Sequence, residues 1–321
     1  MNKIKLAYFG SPDFAADFLE KIITDTTINQ LIEVKLVVTQ PDQKVGRKQI
    51  LTPTPVKIVA NKYLKSEDTF FETIARGPRG GVAVEKNGIK LSNIDLALVY
   101  AYGDLIPKEI LSLPKYGFWN IHPSLLPKYR GPSPIASPLI NGDKITGVTI
   151  IKMDEEIDHG PIIAQESYTI KDTDYRLDLE TKLTDLGFKM FRKLILKGED
   201  TFFETIARGK ITEQNHKEAT YTKKLSKNDG FIEFEKLKNS LTPNPYLPDE
   251  ALAKSGSLTV YNLFRGLYPW PGIWTILPNG KRLKITKMTM KQSNNLIIDS
   301  VQLEGKTEVD FASFNKAYKI F

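Results

Sequence analysis

The sequence predicts an α/β chain, a parallel-rich sheet with crossover helices followed by a small β-barrel. Three observations carry that reading. An apolar strand-like run at residues 4–9 gives way to a helical pattern and then to a second β-rich run at residues 31–38. Strand, helix and strand in that order make a parallel pair with a crossover. After about Gly230 the pattern shifts to short β-like pieces with turn residues between them, as in a small barrel. The 321 residues suit two domains of roughly 100–200 residues each.

The elements follow in order. Ser11 is placed as the N-cap of the first helix and Pro12 at its first position, where a missing N–H costs nothing. Phe14, Phe18, Leu19 and Ile22 then recur at helical spacing. Strands are expected at residues 96–100, 117–121 and 147–153, with residues 161–168 folding back on the last as a hairpin. Leu179, Leu183, Phe191 and Ile195 are among the apolar residues of a long helix at 175–196, which Gly198 would stop. Residues 210–227 are polar and irregular and read as a linker. Five short strands are expected beyond it, at 231–234, 272–277, 282–290, 296–303 and 307–311, with 241–257 as an insertion loop. The predicted division is therefore 1–209, a linker at 210–227, and 228–321.

One segment breaks the pattern. EDTFFETIARG occurs twice without mismatch, at residues 67–77 and 199–209. The similarity stops abruptly at both ends and no period follows, so a local duplication explains it better than a structural repeat. The first copy occupies a stretch where an α/β domain needs another strand.

Composition excludes several chemistries. There is no cysteine, which removes disulfides, thiolate metal sites and a cysteine nucleophile. Three histidines make a multi-histidine metal site improbable, and no metal is expected. No apolar stretch approaches the ~20 residues of a membrane span, and the first residues do not read as a signal peptide, so a cytoplasmic protein is expected. The net charge of +7 permits an anionic partner. The sequence lacks GxGxxG after the first strand, GxxxxGK[ST], GxSxG and HExxH.

Three segments can carry chemistry. At residues 120–135, NIHPSLLPKYRGPSPI, a strand end delivers Asn120 and His122 to one face. An amide donor beside an imidazole suits acyl transfer, the amide stabilising a developing oxyanion and the imidazole handling a proton. The plain alternative is a histidine that packs at a strand end against Trp119. At residues 153–162, MDEEIDHGPI, a carboxylate could hold the tautomer of His122. The alternatives there are a metal site or a solvated hairpin tip. At residues 39–57, Lys44, Arg47, Lys48 and Lys57 make a mobile basic loop able to meet phosphates, or a solvated surface loop.

Taken together, Asn120, His122, SLLPKYRG at 124–131 and Asp158-His159-Gly160 resemble the signature of the 10-formyltetrahydrofolate-dependent formyltransferases. FGSPDFA, TQPD followed by LTPTPVK, AYG at 101–103, TYTKKLSKNDGFIEF at 220–234 and FRGLYPWPGIWT at 264–275 resemble the branch acting on methionyl-tRNA. The resemblance implies a Rossmann-like catalytic domain, a C-terminal OB-like barrel that binds tRNA, and a basic channel between them for the acceptor stem. It implies Asn120, His122 and Asp158 as catalytic residues, the first two stabilising the oxyanion and His122 with Asp158 managing the amine proton through water. Folate would sit among Phe9, Gly10, Val99, Ala101, Tyr102, Gly103, Ser124, Leu125, Leu126, Pro127 and Met153. Lys44, Arg47 and Lys48 would meet an initiator tRNA, and a monomer is expected. The alternatives are a formyltransferase of an amino-sugar nucleotide or other small amine, a folate-binding module without transfer, and an inactive RNA-binding paralogue.

Overall fold

The computed structural model describes residues 3–46, 48–64, 70–72, 91–197, 211–241, 256–291 and 295–321. Arg47, Gly198, the second EDTFFETIARG copy and most of the expected insertion, residues 242–255, lie outside the described residues.

The first strand β1 (Ile4–Gly10) leads into helix α1 (Asp13–Thr24) and returns to β2 (Ile32–Thr39). A hairpin of β3 (Gln43–Val45) and β4 (Ile50–Thr52) precedes α2 (Pro55–Tyr63) and β5 (Phe70–Glu72). Then come β6 (Leu96–Tyr100), the short α3 (Lys108–Leu111), β7 (Phe118–His122), α4 (Ala136–Asn141), β8 (Ile145–Lys152), β9 (Ile162–Thr169) and the long α5 (Arg176–Leu196). All of these strands but β3 and β4 form a seven-stranded sheet in the order β5-β2-β1-β6-β7-β8-β9. Pairing is parallel from β5 through to β7 and turns antiparallel at β7–β8. The parallel α/β reading of the sequence is therefore the observed one.

Burial explains the central strands. β1 and β6 are apolar nearly throughout because the sheet is packed against on both faces at its centre. On one face, Phe18 of α1 packs among Tyr8, Tyr100, Phe188 and Phe191. The other holds Ala7, Phe9, Leu36, Val38, Val99, Tyr102 and Phe118.

Four local expectations differ. The N-cap of α1 is Pro12, with no side-chain bond. Ser11 Oγ instead donates to the Tyr102 carbonyl at 3.1 Å and accepts from the Gln40 amide at 3.2 Å, so it ties together the ends of β1, β2 and β6. The first EDTFFETIARG copy does supply a strand, since Phe70–Glu72 pairs parallel with Val37–Thr39 at the sheet edge. The basic loop is no open coil; it contains the paired β3 and β4, on either side of Gly46 with φ 72°. The helix α2 was missed, although Thr54-Pro55 spells its start: Thr54 Oγ1 accepts the Lys57 amide at 3.1 Å and Pro55 follows the cap.

The chain divides into two compact units. The first comprises residues 1–134, 146–168 and 180–222; the second comprises 135–145, 169–179 and 223–321. The second holds α4, α6 (Phe234–Ser240), α7 (Gly256–Leu267), β10 (Ile273–Ile276), β11 (Arg282–Lys291), β12 (Asn295–Leu303), β13 (Glu308–Asp310) and α8 (Phe311–Tyr318). Its described strands make a four-stranded antiparallel sheet, β10-β11-β12-β13. The expected strand at 231–234 is reduced to one bridge, Phe231 to Trp274, because α6 begins at Phe234. Gly266 lets α7 lie against α4, since a Cβ there would stand 2.6 Å from Ile140 and 3.0 Å from the Ala136 carbonyl. Arg265, buried in the same unit, donates to the carbonyls of Lys171, Asp174 and Asp172 at 3.1, 3.1 and 3.3 Å and to Asn262 at 2.7 Å. That bonding seats residues 169–179 in this unit.

Candidate active site

Asn120 and His122 lie on β7, with Trp119 and Ile121 between and beside them facing the core. Their i, i+2 spacing points both to one face. Antiparallel pairing sets Asn120 opposite Ile151 and His122 opposite Thr149 on β8, and the connection from β8 to β9 returns Asp158 to both. The Asn120 amide donates to Asp158 Oδ1 at 3.0 Å. The backbone N–H of Gly131 donates to Asp158 Oδ2 at 2.7 Å. His122 Nδ1 stands 3.5 Å from Asp158 Oδ1, with the histidine side chain 5% exposed and the carboxylate 13% exposed. The three residues picked out from the sequence therefore meet.

The ring orientation of His122 follows from its other contact. Nε2 lies 2.9 Å from the carbonyl of Tyr129, which can only accept, so Nε2 carries the proton. Nδ1 is then the nitrogen free to take up and release a proton, and it faces the Asp158 carboxylate.

The loop carrying Asp158 is constrained. Asp158 has φ 50°, a left-handed conformation that non-glycine residues rarely hold. Gly160 lies flat on β8: a Cβ there would stand 1.9 Å from the Lys152 carbonyl, so only glycine fits the D-x-G turn. Asp154 accepts from His159 Nδ1 at 2.7 Å, while Glu155 pairs with Lys108. The acidic run thus splits: Asp158 faces inward and its neighbours engage other partners. Among the described residues, no group of three or more His, Asp or Glu side chains could hold a metal ion.

The loop after β7 is held as firmly. Ser124 Oγ donates to the Lys128 carbonyl at 2.6 Å, and Thr149 Oγ1 donates to the Ser124 carbonyl at 2.6 Å. Thr149 Oγ1 also accepts the Leu126 amide at 3.1 Å, and Gln165 donates to the Leu126 carbonyl at 2.9 Å. The Pro127 carbonyl accepts the Thr220 amide at 3.2 Å. Leu125 is half-buried beside Gly147.

The remaining predicted positions divide by exposure. Phe9, Tyr102 and Val99 are buried, Phe9 meeting Tyr102 edge-on at 5.5 Å, and Met153 packs on the same cluster. Gly10 is buried under the Tyr100 carbonyl. Ala101 and Gly103 expose backbone beyond the end of β6, with φ 51° and 87°. Lys44 and Lys48 are exposed on the β3–β4 hairpin and its turn. Lys57 is instead paired with Asp42 at 2.8 Å and mostly covered.

Residues 4–195 match the family model described as formyl transferase. The chain belongs to the formyl transferase family. Residues 254–296 also match the model of the formyl transferase C-terminal domain. A methionyl-tRNA formyltransferase of Caldicellulosiruptor saccharolyticus is 38% identical over 300 residues, covering 91% of this chain and 81% of that protein. One of Mesoplasma florum is 35% identical over 294 residues, covering 92% and 82%. Among solved structures, a 4-N formyltransferase from Francisella tularensis shares the fold with a TM-score of 0.56 at 21% identity, covering 87% of this chain and 95% of that one. An N-formyltransferase from Helicobacter canadensis, in complex with folinic acid and dTDP-3-aminofucose, superposes with a TM-score of 0.55 at 19% identity, covering 90% and 89%.

Arg130, Gln214 and His216 contact this site although sequence reading assigned them no role. Arg130 lies inside the recognised SLLPKYRG motif; Gln214 and His216 stand in a polar stretch with no periodicity to single them out.

Proposed function

We propose that this formyl transferase moves the formyl group of 10-formyltetrahydrofolate to the α-amino group of methionine on initiator tRNA, giving N-formylmethionyl-tRNA and tetrahydrofolate. The observation that carries the chemistry is the convergence of Asn120, His122 and Asp158 in one largely buried cluster. The choice of acceptor is supported by relatives named methionyl-tRNA formyltransferase that align over nine-tenths of this chain.

When bound, 10-formyltetrahydrofolate supplies an activated formyl carbon whose bond to the folate nitrogen breaks as the bond to the acceptor amine forms. The residues suit such a donor. Met153, half-buried against the core cluster of Phe9, Val99 and Tyr102, offers an apolar surface, and the exposed residues Ala101 and Gly103 offer backbone hydrogen-bonding groups to a flat polar ring. Gly10 and the loop of Ser124, Leu125, Leu126 and Pro127 complete the proposed folate positions. Asn120 Nδ2 has two N–H bonds; one is given to Asp158 and the other would donate to the oxygen of a bound formyl group as negative charge develops there. His122 Nδ1 would accept the proton shed by the attacking amine, through a water, and return it to the folate nitrogen as that nitrogen leaves, with Asp158 balancing the imidazolium in between.

In this reading residues 1–209 carry catalysis, residues 228–321 bind tRNA, and 210–227 join them. Lys44, Arg47 and Lys48 on the hairpin meet phosphates of the acceptor stem. The working form is a monomer in the cytoplasm; among the described residues no helix is long and apolar enough to cross a membrane.

The test compares acceptors and salt. Formylation of initiator Met-tRNA is expected to be far faster than formylation of a dTDP-amino sugar. Its kcat/KM should fall steeply with added NaCl, with a log–log slope of about −0.7 to −0.9 per phosphate contact. Faster transfer to the sugar, with a flat salt profile, would replace tRNA by a small amine.

A further inference from the structure

We propose that Gln214 is a positioning residue for this reaction, fixing the backbone that carries Asp158 so that its carboxylate stays on Asn120 and His122. The inference rests on the formyl-transfer reading above.

Gln214 is a buried amide, 5% exposed, with both ends engaged. Its Nε2 donates to the carbonyl of Asp158 at 3.0 Å and to the carbonyl of Gly160 at 2.7 Å. Its Oε1 accepts from Arg130 Nη2 at 2.7 Å. The orientation is forced, because carbonyls only accept and a guanidinium only donates. Arg130, itself 1% exposed, also donates to His216 Nδ1 at 2.8 Å and to the Tyr221 hydroxyl at 3.3 Å. Its backbone pairs with the same incoming segment: Arg130 N–H donates to the Thr220 carbonyl at 2.9 Å, and the Thr222 N–H donates to the Arg130 carbonyl at 2.7 Å.

These contacts close a ring. Asp158 Oδ2 accepts from Gly131; Gly131 follows Arg130; Arg130 holds Gln214; Gln214 holds the Asp158 carbonyl. One arm fixes the carboxylate and the other the peptide that bears it, so both position and direction are set. That restraint has a purpose at Asp158, whose φ of 50° relaxes toward ordinary backbone if released. Relaxation would turn the carboxylate away from His122 Nδ1. A displacement of about 1 Å in a reacting constellation lowers rate by up to about a hundredfold. The segment 211–222, a linker in sequence terms, thereby completes the site.

The test uses the full chain. Gln214→Glu keeps the acceptor for Arg130 and the side-chain volume but sets a carboxylate oxygen against two carbonyls. Gln214→Met removes both sets of bonds, and it carries the test if the glutamate variant does not fold. For transfer to Met-tRNA, kcat is expected to fall at least about tenfold with KM for both substrates nearly unchanged. In an Asp158→Asn background, Gln214→Met should cost little more, because Gln214 acts through Asp158. A wild-type kcat in either Gln214 variant, or a fully additive loss in the Asp158→Asn background, overturns the proposal. Failure of the unmodified chain to transfer formyl to any amine overturns the underlying reading, and this inference with it.

Discussion

At the scale of the residue, the proton position on His122 decides how the site works. The Tyr129 carbonyl accepts a hydrogen bond from Nε2–H, leaving Nδ1 toward Asp158. In the proposed reaction the carboxylate balances the ring once Nδ1 has taken up the amine proton. The role proposed for Asn120 is separate: donating to the oxygen on which charge builds. Asn120→Ala should lower the single-turnover rate by about a hundred- to a thousandfold while leaving folate affinity within about twofold. An unaltered rate would remove Asn120 from the chemistry. Asn120 and His122 were visible in the sequence because two residues apart on a strand means one face. Asp158 was visible only as part of a motif, since nothing local reveals that a hairpin brings it back across 36 residues. Gln214 was invisible: a lone glutamine in a polar stretch looks the same whether it is solvated or clamped between a guanidinium and two carbonyls.

At the scale of the element, the parallel core was readable because buried strands such as β1 and β6 are continuous apolar runs of the right length. The second unit was harder. Residues 256–267 and 311–318 form helices in stretches to which, beyond residues 257 and 311, the sequence reading assigns no element, because short apolar runs fit either period. The two central strands carry a testable consequence. Tyr8 donates to the Ala15 carbonyl at 2.6 Å, and the Tyr100 hydroxyl lies 3.0 Å from that of Thr184. Burial pushes both phenols well above their ordinary titration range. A raised folded-state value means that their stabilising contribution is whole below the unfolded value near pH 10. It is lost progressively as pH rises above that value, because the unfolded chain then releases protons that the folded one retains. Denaturant midpoints should be flat from about pH 8 to 9.5 and fall by about pH 11. Replacing Tyr100 by Phe should lessen that fall, and a midpoint indifferent to alkali would contradict the account.

At the scale of the whole molecule, the two compact units cut across the linear order. Residues 135–145 and 169–179 belong to the second unit although the chain has yet to finish the first. No composition shift marks these excursions; side-chain bonds such as those of Arg265 do. The excess of positive charge is shared, with +4 of the +7 lying beyond residue 224. That distribution suits an anionic acceptor reached from more than one surface. The central claim, however, rests on one imidazole. Single-turnover transfer of formyl from 10-formyltetrahydrofolate to initiator Met-tRNA, wild type beside His122→Ala, tests it most directly. The account predicts rapid transfer by the wild type and a loss of at least about a hundredfold in the variant, with folate still bound. Equal rates in the two proteins, or a folded wild type that transfers nothing, would contradict it.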